Sequence, residues 1–416
     1  MHPHHTSPSS AAVAASPSSQ PPSPESPRMS GRDTSARSSL TYATEVEESS
    51  VAAPRVSRLA RRIHGWSWQA FPIGMGTGAV YTVFFFVNLS LFILNSSTLL
   101  LQALLYPRQS WRLINDPTKG VFVPLIVLSF ATIIIGAINY GVIPGHLSAD
   151  GIYVLFWIYV FLAIIVCFPM LMIWYNKPHD VKTFTPAWAF LIFPMMLVGV
   201  IAANVLRVMD PADTRAIGVL FVGYFFQGIG FFMTMFYICI YILRIMTTGF
   251  MEGHQANGAF VACGPPGFTA LALINLGSHA RKILTQHDLV SPLAGEIWFS
   301  TSVMIGLLLF GLAVFFFTFG VLPYWFKVHK HLSEILGCWA LTFPNVGWIS
   351  SLRVLGDALH IPGFFVLHAI MATLMCAVWL ILFALTALAF WRGKIFLAAE
   401  VDVLNDEKHP VNQETV

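Results

Sequence analysis

From Gly65 to Pro107 the chain carries no Asp, Glu, Lys or Arg, and eight further apolar runs follow it. Runs of about 20 such residues match the hydrocarbon thickness of a bilayer crossed by a helix. Across the whole sequence 56% of residues are hydrophobic and only 10% are charged. Soluble domains carry about a quarter charged residues, so this chain cannot clothe its surface for water. In lipid every backbone N–H and C=O must be satisfied within the protein, which leaves helices or a closed barrel. Barrel strands run about 10 residues with alternating polarity, and no such alternation is present. The fold class is therefore an all-α membrane protein.

The apolar runs define spans near 120–143, 152–175, 186–206, 217–244, 258–277, 297–322, 335–352 and 362–391. The stretch 65–107 is long for one crossing and tight for two. Counting Lys and Arg near the span ends decides between them. With two crossings, Arg55, Arg58, Arg61, Arg62, Arg108, Arg112, Lys119, Lys177, Lys182, Arg244, Lys327, Lys330, Arg392 and Lys394 share one side, and Arg207, Arg215, Arg281, Lys282 and Arg353 the other. That is 14 against 5. The count gives ten spans arranged as five hairpins, with both termini cytoplasmic. Residues 1–64 are expected to form a disordered cytoplasmic tail, because the stretch to residue 54 is rich in Ser, Pro, Ala and Thr without apolar periodicity. Residues 65–396 form the membrane domain, and 397–416 a cytoplasmic tail. Span 9 is the most polar of the set. It follows Glu334 and holds Pro344 and Asn345, so it is expected to face protein or water.

Proline falls on the spans in alternation. Span 1 carries Pro72, span 3 Pro124, span 5 Pro194, span 7 Pro265 and Pro266, and span 9 Pro344. Spans 2 and 6 have none, span 10 has Pro362 at its first position, and Pro169 and Pro323 fall toward the ends of spans 4 and 8. Proline removes a helical hydrogen bond and kinks the helix. Freed carbonyls are tolerated in a membrane where they face protein or a watery path. The alternation predicts kinked odd-numbered helices lining a central pore inside a ring of straighter ones. Gly74, Gly76 and Gly264 stand beside these prolines and read as pore glycines. No Asp or Glu lies at mid-depth in any span. A pore of backbone dipoles and small residues with cationic ends suits anions.

Four motifs carry a family resemblance: FPIGMGTG at 71–78, YFFQGIGFF at 224–232, GPPGFTALALINLG at 264–277 and CWALTFPNVGW at 338–348. In their order and context the chain resembles the fungal branch of a superfamily of membrane anion carriers and channels. It groups fungal malic acid (C4-dicarboxylate) transporters, fungal sulfite efflux pumps, bacterial tellurite-resistance channels and plant slow-type anion channels. The likeness covers roughly 65–395. It implies five hairpins in pseudo-fivefold array with the odd spans lining the pore, a phenylalanine in span 9 that plugs it, and a homotrimer in the plasma membrane. By motif the plug falls on Phe343. The GPP form with FTALAL favours malate or another C4-dicarboxylate as substrate; sulfite efflux is the alternative. One departure stands out. The polar connection that family members have between spans 1 and 2 is largely missing, because GTGAV at 76–80 runs almost directly into YTVFFFVNLSLFIL.

Other signals carry less. The cysteines Cys167, Cys239, Cys263, Cys338 and Cys376 lie in apolar segments without a CxxC pair, and buried free thiols are expected. GMGTG at 74–78 sits in a span with no preceding strand, so it is not a nucleotide loop. Sequons at Asn88 and Asn95 fall against apolar spans and are read as unglycosylated. His2, His4 and His5 in the tail, and His329 with His331 beside lysines, read as solvated. His368 in span 10 reads as a buried, hydrogen-bonded side chain, with a proton-relay role as the alternative. The net charge of +3, with no interleaved basic and aromatic patch, gives no reason to expect nucleic acid. No cofactor and no metal are expected. An intramembrane enzyme would need a nucleophile, paired acids or metal ligands at mid-span, and none is found; a receptor that binds without flux is the remaining alternative class.

Overall fold

The structure, a computed structural model, describes residues 56–71, 82–251, 253–327, 335–399, 402–404 and 406. The tail up to residue 55, Pro72, Gly74, Gly76, the joint between spans 1 and 2, His329 and His331 lie outside the described residues. All regular structure among the described residues is helical. Eight helices are long and apolar enough to cross a membrane. Span 5 is the short exception, made of a 3-10 segment Pro186–Leu191 followed by the α-helix Phe193–Leu206.

Burial separates the spans into two shells. In spans 3, 7 and 9 the most apolar stretch is 61%, 83% and 61% buried, whereas spans 2, 4, 6, 8 and 10 reach 22%, 39%, 33%, 22% and 17%. In span 5 every residue of Phe193–Leu206 except Asn204 is buried. Spans 3, 5, 7 and 9 are thus the inner helices and the even spans the outer ones. Each inner helix packs on the next, and the fifth hairpin meets the first through Phe84 and Trp379, whose rings are 5.1 Å apart. The outer faces carry Phe161, Phe225, Phe236, Leu308 and Leu374, all exposed, as lipid-facing side chains would be.

The prolines mark the inner ring in a way the periodicity alone does not predict. Pro124 caps the start of the α-helix Leu125–Ala137, and Pro194 and Pro344 occupy the first two positions of theirs. A proline at a helix start bends nothing, because its missing N–H would have had no partner there. The kinks expected at Pro124, Pro194 and Pro344 are instead junctions between 3-10 and α-helix. The 3-10 segments are Gly120–Phe122, Pro186–Leu191 and Ile335–Leu341, with Gly253–Asn257 opening span 7 and Trp68–Ala70 the described start of span 1. Among the described odd-span prolines, only Pro265 and Pro266 lie inside an α-helix, Gly258–Gln286, as Pro169 does in span 4. They cannot donate to the carbonyls of Val261 and Ala262, four residues earlier.

Two further features depart from expectation. Residues 58–64, placed in the tail by composition, form a helix capped by the Ser57 hydroxyl, which accepts from Ala60 N at 3.1 Å. Its far end is capped by Gln102, whose amide nitrogen donates to the carbonyls of Ile63, His64 and Trp66 at 3.0, 2.7 and 3.0 Å. Gln102 closes a heptad stripe on span 2. Asn95 donates to Ala70 O at 3.1 Å and Asn88 to the Thr132 hydroxyl at 2.8 Å. Both sequon asparagines are buried. The carboxyl tail expected from residue 397 is likewise docked where described, with Val403 fully buried against Ile63 and Tyr106. Among the cysteines, Cys239 is exposed on the outer ring and Cys376 half-buried, while the other three are buried as expected.

Candidate functional site

Antiparallel hairpins put the starts of all odd spans at one end, and there the structure opens into a vestibule of about 1100 Å³. Every hairpin contributes to its wall: Gln69, Lys119, Lys182, Gln255 and the start of span 9, with Leu385 to Ile395 from the end of span 10. Four cations line it, Lys119, Lys182, Arg392 and Lys394, and no Asp or Glu among the described residues does. The cavity at the opposite end, about 670 Å³, carries both signs, with Asp210 and Glu296 beside Arg281 and Lys282.

Local sequence explains why nearby acids leave the vestibule cationic. Asp116 accepts from Thr118 N at 2.7 Å, the Thr118 hydroxyl at 2.6 Å and Lys119 N at 2.8 Å. Asp180 accepts from Lys182 N at 2.9 Å. These are Asx turns, in which a carboxylate binds the backbone just ahead of it. They fix the two lysines in place while leaving both ammonium groups without an ion pair among the described residues. Partial burial of Asp116 works against its ionisation, but the hydrogen bonds from Thr118 and Lys119 prevail and hold its carboxyl below the usual range. A lowered pKa stabilises the turn above the ordinary carboxylate range and loses that contribution only as pH falls through the lowered value.

Backbone charge acts in the same direction. Helix starts carry the positive end of the macrodipole, and the starts of the odd spans converge on this cavity.

The floor is aromatic. Phe343 and Pro344 line the vestibule at its deep end. Seven residues of 3-10 helix, Ile335–Leu341, lead in from the mouth, an advance of about 14 Å at 2.0 Å per residue. That brings Phe343 near the middle of a hydrocarbon core about 30 Å thick. Its side chain is 5% exposed, and its ring lies 5.1 Å from that of Phe268 at 30°. Phe193, which opens the span 5 α-helix, is fully buried and faces Gly264 of span 7. Phe193 and Phe268 were not singled out from the sequence. A signal for Phe193 was present, because Phe-Pro occurs at 71–72, 168–169, 193–194 and 343–344, three of the four on odd spans.

Small residues and one amide hold this floor together. A methyl group on Gly264 would lie 3.3 Å from Pro344 Cβ and 3.7 Å from the Phe193 ring. Gly267 and Gly347 pack closer still: a methyl on Gly267 would sit 2.6 Å from Trp348 N, and one on Gly347 2.6 Å from Phe268 N. Asn345, 1% exposed, donates to Leu341 O at 2.8 Å and accepts from Trp348 Nε1 at 2.9 Å and Cys263 Sγ at 3.5 Å. The polar character of span 9 is therefore spent on protein, as its sequence suggested. His368 is half-buried, with Nδ1 2.8 Å from Ile349 O, and ties span 10 to span 9. Pro124, Pro265 and Pro266 do not line the vestibule, although Leu125 and Val261 beside them do.

An inner ring of helices, a cationic mouth and an aromatic floor describe a path for small anions. The sequence matches the voltage-dependent anion channel family (SLAC1) over residues 63–387. The chain belongs to that family. Among curated relatives, a malic acid transport protein of Schizosaccharomyces pombe is 28% identical over 370 residues, 83% of each chain. A putative malic acid transport protein of the same organism is 26% identical, covering 82% of this chain and 83% of the relative. A sulfite efflux pump of Arthroderma otae is 25% identical, covering 80% and 92%. The resemblance to the malic acid and sulfite branch of the superfamily thus holds over the whole membrane domain, and this member of the anion channel family is an integral membrane protein that transports anions.

Proposed function

We propose that this anion channel family member carries C4-dicarboxylates, malate in particular, and that Phe343 gates the path. The vestibule carries the reading: four cations, with no carboxylate among the described lining residues, favour an anion of charge two over one of charge one. The malic acid relatives support the same substrate. Anions gather in the cationic mouth, shed part of their hydration against backbone N–H groups at the helix starts, and meet the Phe343 ring at the floor. An apolar constriction excludes a hydrated ion both sterically and by expelling water. Pro344 and Gly264 fix the ring's position by their contact across spans 9 and 7.

Sulfite efflux is the second reading, favoured by one observation: the sulfite pump relative is matched over 92% of its length. Uptake of labelled malate and labelled sulfite into vesicles holding the purified protein separates the two. Malate uptake well above sulfite uptake is expected; the reverse order would assign the chain to sulfite.

The orientation belongs to the same proposal. The vestibule opens to the cytoplasm of a plasma-membrane protein, with both termini on that side. Lys182→Cys is then expected to resist impermeant thiol reagents added outside intact cells, and fast labelling from outside would reverse the topology. A homotrimer within lipid is the assembly proposed from the resemblance, and light scattering of the detergent-solubilised protein reads its mass.

A further inference from the structure

We infer that the turn after span 10, residues 392–396, is a wall of the anion vestibule that sets its preference for divalent over monovalent anions, and that the amino-terminal helix Arg58–His64 holds this wall in place. The inference rests on the anion-path reading above and adds to it a specificity determinant outside the ten spans.

The turn is built by a helix stop. Gly393 takes a left-handed conformation, φ 71°. Lys394 N then donates to Ala389 O at 2.9 Å and Gly393 N to Phe390 O at 3.0 Å. This is the Schellman pattern that ends a helix on a left-handed glycine. It swings the chain across the end of span 10, so that Arg392, Lys394 and Ile395 line the vestibule. Half of the vestibule's four cations therefore come from this turn, and both are exposed within it.

Nearly every residue at the end of the amino-terminal helix grips the turn or the segment after it. Arg61 Nε donates to Ala398 O at 3.0 Å, and Ala398 N donates back to Arg61 O at 3.0 Å. Arg62 donates to Phe390 O at 2.5 Å and to Ile395 O at 3.5 Å, with its guanidinium 3.8 Å from the Phe390 ring centre. A methyl on Gly65 would lie 2.6 Å from Ala398 N, so the two backbones touch. Trp66 stacks on Phe396 at 4.7 Å. The far end of the segment is latched by Asp406, whose carboxylate is 2.8 Å from His64 Nε2 and also pairs with Arg112. The Asp406 side chain is only 7% exposed. These contacts join positions more than 300 residues apart. Of the residues they hold, Ile395 lines the vestibule.

Coulomb energy scales with the charge on the ion. A cation removed from the vestibule that costs a monovalent anion a given factor costs a divalent anion roughly the square of it. A threefold loss for nitrate becomes about ninefold for malate at neutral pH. The test compares the full-length parent with the double variant Arg392→Gln, Lys394→Gln in proteoliposomes, reading nitrate and malate flux in the same preparation. Both positions are exposed, so the fold is expected to survive. The predicted result is a malate-to-nitrate ratio that falls by about the same factor as nitrate flux itself. Equal fractional losses for the two anions, or none, would overturn the inference. Absence of flux for both anions in the parent and in Phe343→Ala would instead defeat the anion-path reading beneath it.

Asp406→Asn tests the positioning role, and the sign of its effect is diagnostic. Removing a negative charge near a cationic vestibule should, through the field alone, raise divalent flux. Loosening the latch should let the turn move and lower the malate-to-nitrate ratio. A lowered ratio, restored by Asp406→Glu, supports the inference. An unchanged or raised ratio would show that the amino-terminal helix does not position the wall.

Discussion

Phe343→Ala is expected to raise anion flux by about tenfold or more, since a barrier lowered by only 1.4 kcal/mol suffices for that factor. The ring lines the vestibule and packs against Phe268. Alanine removes the ring and keeps Pro344, so the junction between 3-10 and α-helix stays. The ring is nevertheless buried against Phe268, and its deletion costs about 3–5 kcal/mol of stability at a typical core site. Folded yield and melting temperature are therefore measured alongside flux. Phe343→Leu, which fills more of the space, should fall between parent and alanine variant in both. If the parent conducts and the folded alanine variant conducts no better, the constriction lies elsewhere and the ring is packing alone.

Gly267→Ala is expected to be strongly destabilising. It would place that methyl 2.6 Å from Trp348 N and 3.0 Å from Trp348 Cβ. Neither atom can rotate away, because both are fixed by the span 9 backbone. Gly347 makes the reciprocal contact with Phe268 N, so spans 7 and 9 meet backbone to backbone at the level of the floor. Overpacking where side chains can yield costs about 1–3 kcal/mol, and here the neighbours are main chain. The expected cost is at the upper end of that range or beyond it, seen as lost monodisperse protein or a drop of many degrees in melting temperature. Gly228→Ala, with nothing within 4 Å of its new methyl, should melt with the parent. Equal melting of the two variants would mean that the close crossing is not needed.

The ring of inner helices was legible because its cause is local. Apolar length set the spans, and the described starts from span 3 onward fall close to where the apolar runs begin, while spans 7 and 9 run on past their apolar ends to Gln286 and Leu359. Span 6 runs longer, Thr214–Thr248, since Asp213 caps it and Gly249 ends it. The alternation of proline pointed to the inner shell, and the burial of spans 3, 5, 7 and 9 agrees. What proline does there was not legible. A proline beside an aromatic residue looks the same in sequence whether it bends a helix or begins one, and three of these begin one.

The vestibule was half legible. Counting basic residues gathered Lys119, Lys182, Arg392 and Lys394 on one side of the membrane, but counting cannot show that they share one cavity free of acid. That depends on Asp116 and Asp180 turning back onto their own backbone. The grip of Arg61 and Arg62 on residues 390–398 gave no sign at all, because a hydrogen bond to a carbonyl more than 300 residues away leaves no periodicity. One signal was missed: Asn88, Asn95 and Gln102, seven apart on an otherwise apolar span, mark the face that carries the amino-terminal helix and the start of span 1.

The central claim is that the path through Phe343 selects anions. The reversal potential of Phe343→Ala in a planar bilayer under a potassium malate gradient tests it most directly. An anion path predicts a reversal potential with the sign set by malate, opposite to that of potassium. Reversal toward the potassium equilibrium potential would contradict the account.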